Sequence, residues 1–242
     1  MTTGTVFCLG LGPGDPDLMT VRADRLLRQA RHVAFFRKRG RKGQARQIVE
    51  GLLPDAVIEF PIEYPVTTVI PFTDPEYNRL LSAFYEDCVA HLRKLARGGE
   101  DVMVLCEGDP FFYGSFMHLY TRLQPDIPIE IVPAVTGMSA AWTATGQPVT
   151  WGDDVLTVLM GTLPEVDLVS RISDSDALVI MKIGRNIDKV RAALRTAGKF
   201  DDAWLIEFAS MPGQTVQRLS EAEGKVTPYF SIIVVHGQGR RP

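Results

Sequence analysis

Short apolar runs alternate with longer stretches of helical spacing along most of this chain. "TVFCLG", "HVAFFR", "AVIEF", "DVMVLCEG" and "IEIVP" are rich in β-branched and apolar residues and are bounded by turn formers, which predicts five strands in the first half. The clearest helix begins at "DPEYNRLL", where Asp74 suits the cap and Pro75 the first helical position. Tyr77, Leu80, Leu81, Phe84, Cys88, Leu92 and Leu95 then share one face, and Gly98 and Gly99 stop the helix. Another helix is expected from about Thr20. Strand–helix alternation of this kind predicts an α/β fold with a largely parallel sheet covered by helices.

The second half repeats the theme with different parts. "DVLTVLMG", "ALVIMKIG", "AWLIEFA" and "YFSIIVVHG" read as strands, with a helix from about Asp188 to Ala197. "VPAVTGMSAAWTATG" joins the halves, and its small residues from Ser139 onward favour a closely packed helix. The expected division is an N-terminal α/β domain over 1–133, a linker over 134–136 and a C-terminal α/β domain over 137–242. A cleft between two such domains is a common place for a cofactor.

Composition narrows the classes. The chain has 242 residues, 45% of them hydrophobic, which is enough for one large domain or two ordinary ones. No apolar segment approaches the roughly 20 residues of a membrane span, and Met1–Gly10 lacks a signal-peptide plan. Cys8, Cys88 and Cys106 read as reduced core residues of a cytoplasmic protein, and no cysteine–histidine cluster offers a metal site. A formal charge of −3 argues against a dedicated nucleic-acid binder. One stretch departs from that average. "FRKRGRKGQAR" carries Arg37, Lys38, Arg39, Arg41, Lys42 and Arg46 with no acid among them. It reads either as a solvated basic loop or as a dock for a ligand with several carboxylates, because arginine pairs with carboxylate through two parallel hydrogen bonds. Nucleic acid is a third reading, weakened by the lack of interleaved aromatics.

Two strand-end loops carry the candidate chemistry. "GLGPGDPDLMT" follows the first strand, but the third glycine of a dinucleotide fingerprint is replaced by Asp15, and Pro13 removes a backbone donor. That weakens a nicotinamide-dependent reading. "EGDPFFYG" follows the fourth strand and is again acidic, with Glu107 and Asp109. Open α/β sheets bind ligands at the carboxyl edge, and this edge does not suit phosphate.

In that order, "GLGPGDPDLMT" at 10–20, "EGDPFFYG" at 107–114, "VPAVTGMSAA" at 132–141 and "YFSIIVV" at 229–235 resemble the tetrapyrrole methylases over essentially the whole chain. The resemblance implies a two-domain fold with a largely parallel N-terminal sheet, a mixed C-terminal sheet and an inter-domain cleft. It implies S-adenosylmethionine as methyl donor, a precorrin-type tetrapyrrole as acceptor, with or without cobalt, and a homodimer. By position, the donor pocket falls on Pro13, Gly108, Asp109, Phe112, Tyr113, Thr136 and Gly137. The second half adds Met181 or Lys182, then Ala209, and Ser231, Ile232 and Ile233. Ala134 stands where many relatives have glycine. The donor has cations but no phosphate, which suits acidic loops and aromatic or methionine walls. Methylation of a meso carbon releases a proton, so Glu107 is the candidate base, with a structural acceptor of loop amides as its alternative role. Arg37, Arg39, Arg41 and Lys42 are the candidate contacts to substrate carboxylates.

Overall fold

A computed structural model of the chain describes residues 2–65 and 74–240. The chain divides into two compact units, Met1–Thr136 and Gly137–Pro242. In the first, the strands are β1 (Val6–Gly10), β2 (His32–Lys38), β3 (Ile58–Tyr64), β4 (Val102–Cys106) and β5 (Ile129–Val132). They form one sheet in the order β3-β2-β4-β1-β5, and every pairing is parallel. All five carboxyl ends therefore share one edge.

Helices cover both faces. They are α1 (Val21–Leu27), α2 (Gln44–Ile48), α3 (Pro75–Arg97) and α4 (Phe116–Leu123). Alternation along β4 shows why its sequence reads as an unbroken apolar run. Val102, Val104 and Cys106 pack with Tyr85, Leu92 and Phe116 of α3 and α4. Met103 and Leu105 pack on the other face with Leu27 and Ile48 of α1 and α2. A strand buried on both faces has no polar side to show. The Asp74 carboxylate accepts from the Glu76 amide at 2.9 Å and Pro75 opens α3, while Gly98 ends it. Thr20 caps α1 through the Ala23 amide.

β3 runs past Pro61 to Tyr64, beyond the end that the proline suggested in the sequence. As an edge strand it needs no amide donor on its open side, so proline does not stop it. Cys8 and Cys106 sit on neighbouring strands with their sulfurs 3.4 Å apart. All three cysteines are free and buried, and burial pushes the Cys8 thiol well above its ordinary value.

The second unit contains α5 (Gly137–Ala144), β6 (Leu156–Met160), α6 (Glu165–Ser173), β7 (Ala177–Met181) and α7 (Ile187–Thr196). It closes with β8 (Ala203–Glu207), β9 (Thr215–Arg218) and β10 (Ser231–Val235). The sheet order is β6-β7-β10-β8-β9. Only β6 and β7 run parallel, so the sheet is mixed. α6 and α7 bury Leu168, Val190 and Leu194 on one face with Leu178 and Ile233. The small residues Ala140 and Ala141 of α5 pack on the other with Val179 and Ile206. β9 escapes a sequence reading because it is short and polar, with Val216 its one apolar residue. It is held by register with β8, and the Arg218 guanidinium lies 4.2 Å from the centre of the Trp204 ring.

Candidate active site

β1 and β4 are adjacent and in register from Val6↔Val102 to Gly10↔Cys106. Their exit loops therefore leave side by side. The Leu11 amide donates to the Cys106 carbonyl at 2.9 Å, and the Gly108 amide donates to the Gly12 carbonyl at 2.7 Å. The two acidic loops form one joined floor. A third segment meets them at Gly10, where a Cβ would stand 2.6 Å from Ala134 Cβ and 2.9 Å from Pro110 Cδ. Ala134, the departure from the family pattern, fits because Gly10 leaves it room.

The carboxylates of this floor have different employments. Asp15 accepts from the Asp17 amide at 2.9 Å and caps the short 3-10 turn Pro16–Leu18. Asp109 accepts from the Phe111 amide at 2.9 Å and from the Ala134 amide at 3.1 Å, tying its own loop to the chain leaving β5. Glu107 has no hydrogen-bond or ion-pair partner among the described residues. Its residue surface is exposed, yet desolvation pushes the carboxyl up from 4.5 to about 7. The two observations belong to a carboxylate that protein crowds but water still reaches. Pro13 is buried beside this floor.

Beyond Pro110 the loop tightens. Tyr113 has φ 56°, left-handed for a bulky residue, and a Cβ at Gly114 would come 2.7 Å from the Pro110 carbonyl. This geometry presents Phe112 and Tyr113 edge to face, with ring centres 4.9 Å apart. Thr136 follows Ala134 and Val135 at the end of the first unit.

In the second unit the predicted residues gather at one sheet edge. β10 runs against β7 and β8, so its amino end lies beside their carboxyl ends. Ser231 pairs with Glu207, and the Phe208 amide donates to the Phe230 carbonyl at 2.8 Å. Met181, Ala209 and Ile232 share the apolar cluster under α5, and a Cβ on Gly137 would lie 3.7 Å from Ile232 Cδ1. Ser231 is buried and its hydroxyl donates to the Pro228 carbonyl. Ile233 is set apart, fully buried on the opposite face among the α6 and α7 contacts. Three non-glycine residues on this edge are left-handed: Lys182 (φ 53°), Phe208 (φ 53°) and Ser210 (φ 59°). Such strain clusters at ligand sites. Phe208 and Ser210 were not foreseen, since sequence signals positive φ mainly through glycine or asparagine.

The basic run divides in two. Arg37 pairs with Glu63 at 2.6 Å, Lys42 with Glu50 at 3.1 Å and Arg46 with Glu59 at 2.8 Å. Lys38, Arg39 and Arg41 have no acidic partner among the described residues. They line an open cavity of about 470 Å³ together with Glu63, Tyr64 and Pro65. The cavity lies where β2 and β3 end, on the carboxyl edge that carries the acidic floor. Lys38 belongs to the basic run that the sequence singles out, whereas Tyr64 and Ser115, whose hydroxyl bonds Tyr64, carry no such signal in the sequence. Among the described residues, no helix is long and apolar enough to cross a membrane, and no group of His, Cys, Asp and Glu could hold a metal ion.

A parallel five-stranded sheet with joined acidic loops on its carboxyl edge, followed by a mixed five-stranded unit, defines a two-unit α/β protein. The model of the Tetrapyrrole (Corrin/Porphyrin) Methylases matches residues 5–223, and the chain belongs to that family. It is 44% identical to a "Precorrin-2 C(20)-methyltransferase" from Sinorhizobium sp, over 99% of this chain and 98% of that one. It is 28% identical to a "Cobalt-precorrin-2 C(20)-methyltransferase" from Salmonella typhimurium, over 97% of each. Among solved structures, a cobalt precorrin-4 methyltransferase superposes with TM-score 0.73 at 24% identity, covering 96% of this chain and 94% of that one.

Proposed function

We propose that the chain transfers a methyl group from S-adenosylmethionine to C(20) of precorrin-2. The observation that carries this reading is the 44% identity to the Sinorhizobium enzyme over 99% of the chain. The site chemistry agrees with it. The donor brings an electrophilic methyl on a sulfonium, together with other polar groups but no phosphate. An edge with an unpaired carboxylate, backbone carbonyls and aromatic walls suits such a molecule better than it suits a pyrophosphate.

In this reading Gly108, Phe112, Tyr113 and Pro13 of the first unit line the donor site, with Thr136 nearby. In the second unit Gly137, Met181, Lys182, Ala209, Ser231 and Ile232 supply the edge, and Ile233 supports it from the core. Asp109 acts indirectly, holding the loop to Ala134. As the acceptor carbon gains its methyl it must lose a proton, and Glu107 is the group assigned to take it. A carboxyl pushed to about 7 exchanges a proton readily near neutral pH. Substrate carboxylates are assigned to Arg39 and Arg41 with Lys38. Arg37 and Lys42 already answer Glu63 and Glu50 and are not among the residues that line that cavity. The working form is taken as a cytoplasmic homodimer, as the family resemblance implies.

Mass spectrometry of precorrin-2 after incubation with the protein and S-adenosylmethionine tests the reading. The expected product is heavier by one methyl in place of one hydrogen, with the new methyl at C(20) by carbon NMR. No mass gain with any reduced tetrapyrrole overturns it. A gain confined to cobalt-bearing substrate transfers the assignment to the reaction named for the Salmonella relative.

A further inference from the structure

Tyr64 stands between two parts of the first unit that the proposed reaction uses separately. It lines the cationic cavity with Lys38, Arg39 and Arg41. Its ring stacks on Phe36 of β2, with centres 5.4 Å apart and planes 23° from parallel, so it is fixed to the strand that leads into those cations. Its hydroxyl is hydrogen-bonded to the hydroxyl of Ser115. Ser115 directly follows the aromatic loop that ends at Gly114.

Ser115 is the N-cap residue of α4, where a serine hydroxyl ordinarily accepts from an amide of the first turn. Here no such cap bond is made. The hydroxyl is turned away from its own helix towards Tyr64. The loop before it has little freedom, with Tyr113 left-handed and Gly114 pressed on the Pro110 carbonyl. A displacement at Ser115 therefore passes to Tyr113 and Phe112 rather than being absorbed in slack chain.

We propose that the Tyr64–Ser115 hydrogen bond is a coupling element: an acidic arm of the acceptor bound at Lys38, Arg39 and Arg41 sets the aromatic loop Phe111–Gly114 against the methyl donor. Tyr64 and Ser115 are thus positioning residues. The inference rests on the proposed methyltransferase reading, and on that cavity as its carboxylate subsite.

The test uses the full chain, S-adenosylhomocysteine as donor-site probe and a stable octacarboxylate porphyrin as acceptor-site probe, with calorimetric titration of each in the absence and presence of the other. In the parent, saturating porphyrin should change S-adenosylhomocysteine affinity by about fivefold or more. Tyr64→Phe and Ser115→Ala should bring that factor close to one while affinity without porphyrin stays at the parent value. Ser115→Thr, which keeps the hydroxyl, should restore the coupling. A parent without coupling, or equal coupling in parent and Tyr64→Phe, overturns the proposal. Arg39→Ala with Arg41→Ala is the separate arm, expected to weaken porphyrin binding by about tenfold. Unchanged porphyrin affinity there overturns the cavity as a subsite, and the coupling with it. Failure of S-adenosylhomocysteine to bind the parent at all would instead sink the methyltransferase reading.

Discussion

Glu107 joins two conditions that pull in opposite directions on the protein. Its carboxyl is unpartnered among the described residues and desolvated, which favours the neutral form and moves it to about 7. Between an ordinary value of 4.5 and about 7, the folded chain holds a proton that the unfolded chain has lost. Stability therefore falls as pH rises through that window and levels off above it. Glu107→Gln removes this dependence, so its gain in melting temperature over the parent should be larger at about pH 8 than at about pH 5. Catalysis needs the other form. If Glu107 takes the proton from the acceptor, kcat should rise with pH through about 7, and Glu107→Gln should lower it on the order of a hundredfold. S-adenosylhomocysteine affinity, measured by calorimetry, should hardly change. A mutant that turns over normally but loses the pH-dependent destabilisation would leave Glu107 a strained carboxylate without a catalytic role. Loss of donor affinity instead would make it a donor ligand.

At the scale of the element, the loop Glu107–Gly114 is organised by Asp109 more than by any contact with solvent. Asp109→Ala strips acceptors from the Phe111 and Ala134 amides. Water can replace the first on this exposed turn, while the second is half-buried, so the expected loss is about 1–3 kcal/mol in a denaturant titration. Donor affinity should fall as well, because Gly108 and Phe112 lose their fixed positions. An unchanged calorimetric affinity in a folded but weakened mutant would take this loop out of the donor site. The two acidic loops were legible in the sequence because glycine, aspartate and proline at a strand end leave few alternatives. Parallel strands buried on both faces were legible too, as apolar runs. What stayed hidden depends on partners far away in the chain. Pro61 is harmless only because β3 is an edge, and β9 exists only through its pairing with β8. Half of the basic run is neutralised by Glu50, Glu59 and Glu63, which left the free cations at Lys38, Arg39 and Arg41. No local pattern announces that Ser115 forgoes its helix cap for Tyr64.

Across the whole molecule, two compact units with separate cores allow two melting transitions, so ligand linkage can be read for each unit in one experiment. Anything that binds only the folded state raises stability by RT ln(1 + [L]/Kd), about 2.7 kcal/mol at a hundredfold excess over Kd. For units of this size that corresponds to a rise of roughly 5–15 °C in melting temperature. S-adenosylhomocysteine at that excess should produce such a shift in calorimetric scans. NADH should produce none, because the turn after β1 offers Pro13 and the self-capping Asp15 where a pyrophosphate needs free amides. The division of the shift is informative. If residues of both units contact the donor, as the assignments at Gly108 and Ser231 require, both transitions should move. Movement of the first-unit transition alone would strike Lys182, Ala209 and Ser231 from the donor site. Equal shifts with NADH and S-adenosylhomocysteine would return the edge to a generic nucleotide-binding role and remove the argument from the acidic loops.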